Sequence, residues 1–317
     1  MSSRSMFSII VPTYNRVNVL PRALKSVVNQ TYRPIHLIVV DDGSSDNTDN
    51  FMNEWIAKNQ SADLLVDYIK QNNGGAGAAR NTGISHIKGT YVQYLDSDDE
   101  LHPERLSKLQ TLFEEESVDF IQTGFDNIDH NSGEKISTRY GRLKNTIYEQ
   151  MLMGVLWPNT LRSAFTTKLV KEIGLWNTSM ICFEDREYVE RAILHANKPI
   201  CIREVLATAS RHVGGNITDH LKTEQGRENR VRCEKQLVER IDDIPTAESY
   251  KKLFKSRMYT LSLRCFAEGW TELGNECLLL ANSITTKRDL KNSFKKFMLG
   301  SGAFTKSLLI LIYKRFT

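Results

Sequence analysis

The chain has 317 residues, 40% hydrophobic and 25% charged, with 42 Lys and Arg against 38 Asp and Glu for a formal charge of +4. This is the composition of a soluble globular protein of one large domain, or of one domain with an appendage. It excludes collagen-like and low-complexity chains and wholesale disorder, and no run of roughly 18 apolar residues exists to form a spanning helix. The segment MSSRSMFSIIVPTYN lacks the apolar core and cleavage site of a signal peptide. The five cysteines are too widely spaced for a zinc pattern and odd in number, as suits a reducing compartment. Together these features place the protein in the cytoplasm.

The N-terminal third alternates regularly. Phe7–Val11 is a short β-rich run closed by Pro12, and Val17–Asn29 carries Leu20, Leu24, Val27 and Val28 at helical spacing. Ile35–Val40 is a second apolar run, closed by Asp41-Asp42-Gly43, and Ser45 or Asp46 caps a helix running to about Lys58. Leu64–Ile69 predicts a third strand, and a glycine-rich turn over Asn72–Gly77 leads into a helix through His86. Tyr91–Leu95 is a fourth strand, ending in Asp96-Ser97-Asp98-Asp99, and Pro103 opens a helix over Glu104–Glu115. Beyond it the pattern loosens. A strand is expected over Phe120–Phe125, helices over Thr146–Met153, Thr166–Ile173 and Glu184–His195, and a strand over Ile200–Ala207. From about Thr223 the chain reads as helices with polar faces.

Strands alternating with helices mean a mainly parallel sheet covered on both faces. In an open α/β sheet, ligands bind outside the carboxyl ends of the strands. The segments Thr13-Tyr14-Asn15, Asp41-Asp42, Asn72–Gly77 and Asp96–Asp99 all follow strands, so they are expected on one rim. The cluster at Asp96-Ser97-Asp98-Asp99 is the strongest signal. Packed carboxylates repel, and a hard divalent cation relieves them while leaving positions for substrate phosphates. The competing reading is a cap for the helix after Pro103. Asp41 ends a buried strand, where a carboxylate can accept from a ligand N–H, and Tyr14 next to it offers a face for a base. Around Asn73-Gly74-Gly75-Ala76-Gly77 small residues allow close backbone approach, and Arg80 can pair with phosphate or base oxygens. The same glycines form a loose dinucleotide fingerprint, which keeps an NAD-binding oxidoreductase open as an alternative. Glu184-Asp185 opens a helix. The pair either serves the helix dipole or supplies a general base. His212, alone after Arg211, is more often structural than a ligand.

In this order, Ile10-Val11-Pro12-Thr13-Tyr14-Asn15, Val39–Asp46, Asn73–Asn81, Leu95–Asp99 and Phe183-Glu184-Asp185 resemble the family 2 glycosyltransferases of the GT-A fold. The resemblance covers about the first 215 residues. It implies an α/β, Rossmann-like sheet flanked by helices, with a catalytic domain over 1–220 and a helical region over 221–317. It also implies inverting transfer from a nucleotide-diphosphate-sugar donor, usually UDP-linked, to a hydroxyl of a glycan or lipid-linked acceptor. By this likeness Pro12, Thr13 and Tyr14 line the base pocket and Asp41 bonds the uracil imide. Arg80 with Asn73 completes the nucleotide cradle, and Asp96 and Ser97 face the ribose. Asp98 holds Mn²⁺ or Mg²⁺ on the diphosphate with His212 nearby, Asp185 is the base, and Glu184 lies on the acceptor side. Ser210 stands where an arginine is common.

A catalytically silent sugar-nucleotide-binding protein is the second alternative. The segment after Ala281 is basic, and its apolar run Leu308–Tyr313 between Lys306 and Lys314-Arg315 suits docking onto an anionic membrane face during surface polysaccharide synthesis. The same segment could instead pack on the helical region or on a second copy in a homodimer. A nucleic-acid partner is not expected, because these basic residues lack interleaved aromatics.

Overall fold

The computed structural model describes residues 5–141, 146–152, 158–211, 223–240 and 247–284. The chain divides into two units. The first comprises residues up to Ile147, Trp157–Met180 and Glu184–Asn216, and the second comprises Tyr148–Leu156, Ile181–Phe183 and the remainder from Ile217.

The first unit is built on four parallel strands, three of them buried along their whole length and the outermost half-buried. β1 (Phe7–Thr13) lies between β2 (Ile35–Asp41) and β4 (Tyr91–Tyr94), and β3 (Leu64–Lys70) pairs on the outer side of β2. The register sets Thr13 beside Asp41 and Asp41 beside Lys70, so the strand ends are level and their polar residues emerge together. Helix α1 (Leu20–Val28) buries Leu20, Ala23, Leu24 and Val27 as its spacing requires. It starts three residues later than the sequence pattern suggests. Asn15 takes a left-handed φ of 50°, and the Arg16 carbonyl accepts from Val19 and Leu20 N–H in a turn. Helix α2 (Thr48–Asn59) follows β2, with Asp46 accepting from the Thr48 N–H at 3.1 Å as a local cap. Helix α3 (Ala76–Ser85) lies directly on β1. A Cβ at Gly83 would stand 2.5 Å from Ile10 Cγ2, so only glycine allows this approach.

The sheet continues past β4 in an order not legible in sequence. After β5 (Glu100–Leu101) and α4 (Arg105–Glu115) come β6 (Phe120–Asp129), β7 (Lys135–Arg139), α5 (Ile147–Leu152), β8 (Ser163–Thr166), α6 (Thr167–Ile173), α7 (Glu184–His195) and β9 (Pro199–Arg211). The strand order is β3-β2-β1-β4-β8-β6-β9-β5, with β7 paired to β6. β8 inserts antiparallel between β4 and β6, whereas β6 and β9 pair parallel. The sheet is mostly parallel and flanked by helices, as expected. β9 runs four residues beyond the expected Ala207, and this extension carries Ser210 to the turn after β4.

In the second unit, α8 (Glu224–Glu239), α9 (Ala247–Ala267) and α10 (Thr271–Ser283) are helical as expected. Glu234, fully buried, pairs with Arg230 at 2.7 Å and with Arg257, and Ser262 donates to the Gly274 carbonyl across the α9–α10 hairpin at 2.7 Å. Among the described residues no helix is long and apolar enough to cross a membrane. The basic segment and its apolar run beyond Thr285 lie outside the described residues, as does His212.

Candidate active site

The rim forms because each strand ends in a turn stitched to the next. Asp42 N–H donates to the Thr13 carbonyl at 2.9 Å. The Asn15 carboxamide oxygen accepts from Ser45 N–H at 2.8 Å and from Asp46 N–H at 3.3 Å, while Asn15 N–H donates to Ser44 Oγ at 2.9 Å. These bonds fix the loop that presents Tyr14, 47% exposed, while Pro12 and Thr13 lie buried beneath it. Thr13 Oγ1 is buried with no hydrogen-bond partner, an acceptor and donor left at the rim.

The two aspartates after β2 have opposite surroundings from those expected of a ligand pair. Asp41 is fully buried. Its oxygens accept from Ser44 N–H at 2.8 Å and from the Tyr68 hydroxyl at 2.7 Å. Each oxygen thus accepts one bond from the chain, and a carboxylate has about four acceptor sites in all. Asp42, which carries no separate signal in the sequence, receives Gly74 N–H at 2.9 Å, Gly75 N–H at 2.7 Å and Gln71 Nε2 at 2.7 Å. It therefore braces the glycine turn, where Gly75 sits at φ 86°. The Gly74 and Gly75 amides are committed to Asp42, which gives this glycine stretch a structural task. Asn73 stands exposed on the same turn.

The turn after β4 is not neutralised in the same way. Asp96 is 38% exposed along its side chain, Asp98 23%, and Ser97 and Asp99 are nearly buried. Burial first, and then the charges of Asp96 and Asp98, push Asp99 well above the usual carboxylate range. Ser210 N–H donates to Asp99 at 3.0 Å. Arg22 from α1 donates to the Asp98 carbonyl at 2.8 Å, bonds the Ser210 hydroxyl and pairs with Glu100 at 3.0 Å. A guanidinium from α1 thus reaches the place where Ser210 replaces the commoner arginine. Arg16 approaches Asp98 to 3.8 Å.

Arg80 links this turn to the acidic start of α7. It is 4% exposed, donates to Asp96 at 2.8 Å and lies 3.9 Å from Glu184. Burial works against its charge, yet Asp96, Glu184 and Asp185 outweigh it and hold its pKa above the ordinary value. Burial and the neighbouring Glu184 push Asp185 up to about 7, with Arg80 pulling the other way. A carboxylate titrating there is suited to take a proton near neutral pH. Helix α7 is itself held by buried ion pairs, Arg186 to Glu190 and Arg191 to Glu187, each at 2.8 Å. Just before it Phe183 adopts a left-handed φ of 64°.

One residue of this assembly carried no sequence signal. Trp176 is 3% exposed and lies in the connection after Gly174. The Arg80 guanidinium sits 4.4 Å from its ring centroid.

Among the described residues no group of three His, Cys, Asp or Glu is arranged to hold a metal. The donor chemistry at Asp96–Asp99 nevertheless fits a hard divalent cation of the Mg²⁺ or Mn²⁺ type. Such ions are held by one or two carboxylates, with the remaining positions left to water and substrate phosphates.

The model of the glycosyl transferase family 2 matches residues 8–173, just over half of the chain. The chain belongs to that family. It is 34% identical over 126 residues to the glycosyltransferase GlyA of Streptococcus pneumoniae, covering 40% of this chain and 18% of that one. The chain spans about a fifth of the length of the first curated relatives that it matches. A crystal structure of S. aureus TarS 1–349 in complex with UDP-GlcNAc superposes with a TM-score of 0.68 at 19% identity, covering 88% of this chain and 81% of that one. The mannosyltransferase PcManGT from Pyrobaculum calidifontis, in complex with GDP-Man and Mn²⁺, gives 0.53 at 18% identity over 99% and 84%. The fold of this family 2 chain is therefore of the GT-A type. Family membership, with the commitment of the Gly74 and Gly75 amides, sets aside the oxidoreductase alternative.

Proposed function

We propose that the protein is an inverting, metal-dependent glycosyltransferase that moves a sugar from a nucleotide-diphosphate donor to a hydroxyl of a glycan or lipid-linked acceptor. The observation that carries this reading is the convergence of Asp96, Glu184 and Asp185 on the single buried guanidinium of Arg80. It puts a donor-side acid and a candidate base on one rim.

Tyr14 stacks the base, with Pro12 and Thr13 beneath it. Asp41, whose carboxylate also fixes the Ser44 turn, bonds the uracil imide, and Arg80 with Asn73 completes the nucleotide cradle. Asp96, with Ser97 beside it, takes the ribose. Asp98, with His212, would hold the divalent cation. When bound, that ion stabilises negative charge building on the departing diphosphate. Asp185 accepts the proton of the attacking hydroxyl, and Glu184 orients the acceptor. In a single displacement the acceptor oxygen bonds the anomeric carbon as the bond to the diphosphate oxygen breaks, so no covalent sugar–enzyme intermediate is needed. UDP is the preferred nucleotide, in line with the TarS complex, and surface polysaccharide or a related glycan is the product class. The basic segment after Ala281 would dock the enzyme on the inner, anionic face of the membrane.

The test is a panel of UDP- and GDP-sugars with Mn²⁺, scored by thermal shift and by slow donor hydrolysis. Stabilisation and hydrolysis by a UDP-sugar support the reading, and the absence of both across the panel overturns it. Stabilisation with no turnover onto any hydroxyl acceptor would instead identify a silent binding protein.

A further inference from the structure

The buried column behind Arg80 has no role in the reading above. Trp176 is clamped through its backbone by Asn81, whose carboxamide donates to the Trp176 carbonyl at 3.1 Å and accepts its N–H at 2.7 Å. One face of the indole carries the Arg80 guanidinium at 4.4 Å, and its ring stacks on Tyr188 with centroids 4.1 Å apart and planes 7° from parallel. Tyr188 is held in turn. Its hydroxyl meets that of Tyr94 at 3.0 Å, and Arg191 lies 5.2 Å from its ring. Arg191 is anchored by both oxygens of Glu187 and by the Ile173 and Leu175 carbonyls. The column ties α3, which carries Arg80, to α7, which carries Asp185.

Arg80 needs such a support. Its Nε and Nη1 are buried without a hydrogen-bond partner, and only Nη2 is bonded, to Asp96. A guanidinium with one firm hydrogen bond has rotational freedom unless a flat surface holds its plane. Cation–π attraction strengthens when desolvated, and its geometry confines the guanidinium to the ring face. We propose that Trp176 is a positioning residue for the transfer reaction, fixing the plane of Arg80 so that one cation faces Asp96 and the Glu184–Asp185 pair together. This deepens the reading of Asp185 as base and rests on it.

The consequence is electrostatic. Asp185 is faced by Glu184 from its own helix, by Arg80 from α3, by Asp96 from the turn after β4, and by the Arg186 N–H at 2.7 Å. Arg80 is the cation among these. Loosening it leaves two carboxylates acting on Asp185 with less opposition, so the proton is bound more tightly and less base is ionised at neutral pH.

The test follows the Asp185 carboxyl by ¹³C NMR in metal-free, aspartate-labelled protein, with Asp185→Asn assigning the signal. Trp176→Leu removes the ring face, Trp176→Phe retains a smaller one, and Arg80→Gln removes the cation. Arg80→Gln and Trp176→Leu are both expected to raise the midpoint, Trp176→Leu by about one pH unit, and Trp176→Phe by less than half as much. A folded Trp176→Leu protein with an unmoved midpoint overturns the proposal. If that variant does not fold, Trp176→Phe decides: any upward shift supports the proposal and none overturns it. In the enzyme, the lower limb of the pH–rate profile moves to higher pH by the same amount in Trp176→Leu, with the affinity for UDP and Mn²⁺ changed less than threefold. Because the NMR midpoint needs no donor, a protein that binds no nucleotide-sugar would sink the functional reading while leaving this measurement interpretable.

Discussion

The chain has two acidic turns at the same level of one sheet, Asp41-Asp42 after β2 and Asp96–Asp99 after β4, and they are finished in opposite ways. In the first, each carboxylate accepts from the chain's own donors: Ser44 and Tyr68 on Asp41, and Gly74, Gly75 and Gln71 on Asp42. In the second, burial first and then the charges of Asp96 and Asp98 raise Asp99, and long arginines approach from the side. Acids bonded by their own chain hold a loop in place. Acids left in mutual repulsion are where an outside cation or a hydroxyl gains most. Composition does not distinguish the two turns; the bonds that Asp41 and Asp42 accept and the burial of Asp99 beside two further acids do.

Asp185 extends the second kind of acid to the base side, and its replacement should have the largest effect. Asp185→Asn is expected to lower kcat by about 10²–10⁴, the usual contribution of a positioned base, while UDP with Mn²⁺ still stabilises the protein. Retained turnover would remove Asp185 from the reaction. In the parent protein only the ionised carboxylate accepts a proton, so the rate should rise as pH increases through about 7 and fall below it. Because this folded-state value lies above the unfolded one, the ionised form also opposes folding, and the opposition grows from the usual carboxylate range up to about 7. Asp185→Asn should therefore have a higher unfolding temperature than the parent at pH 8 and an equal one at pH 3.

Next in size is the turn after β2. Asp42→Ala leaves the Gly74 and Gly75 amides and the Gln71 carboxamide without their acceptor. Gly74 and Gly75 are exposed, so water replaces part of the lost bonding, and a loss of about 1–2 kcal/mol is expected, read as a lower urea midpoint. Asp98→Asn should do the reverse. Stability is expected to hold, while the stabilisation by UDP with Mn²⁺ weakens roughly 10–100-fold in apparent affinity, a loss at least as large as that of an outer-shell partner. If Asp98→Asn unfolds the protein and Asp42→Ala leaves it intact, the two turns have been assigned the wrong way round.

The contrast also marks what could be read from the sequence. β1 to β4 were legible because each is a mainly apolar run closed by polar residues, and level strand ends follow from a parallel sheet. β8 was not, because Ser163–Thr166 runs into α6 without a turn residue to separate them. Nor were β7, a polar edge strand, or β5, only two residues long. Asp41 and Asp42 looked alike, since the Tyr68 hydroxyl and the glycine amides come from segments about 30 residues away. Trp176 belongs to no periodic element. Its only local sign is an aromatic placed just after the helix-ending Gly174, which does not reveal that Asn81 and Arg80 pack on it. Buried Arg105 and Arg162 were equally silent: each hydrogen-bonds Thr123, and burial lowers both.

The smallest expected effect is the sharpest probe of the repelling turn. Asp99 is nearly buried, and an asparagine there keeps an oxygen for the Ser210 N–H while removing the charge. With its folded-state pKa raised, the carboxyl places no burden on folding when protonated in both states. It opposes folding increasingly as the pH rises above the unfolded value. Asp99→Asn should therefore melt at the same temperature as the parent near pH 3 and higher at pH 7. A gain of roughly a degree or two is expected, read as the difference in unfolding temperature between the two proteins at pH 7, in keeping with how such shifts scale in a chain this long. Measured without metal, the gain combines the burial of the Asp99 charge with its repulsion by Asp96 and Asp98. Added Mn²⁺ should shrink it, because the cation relieves that repulsion in the parent. A variant less stable than the parent at pH 7 would mean that the turn is already balanced by its own chain, like the one after β2.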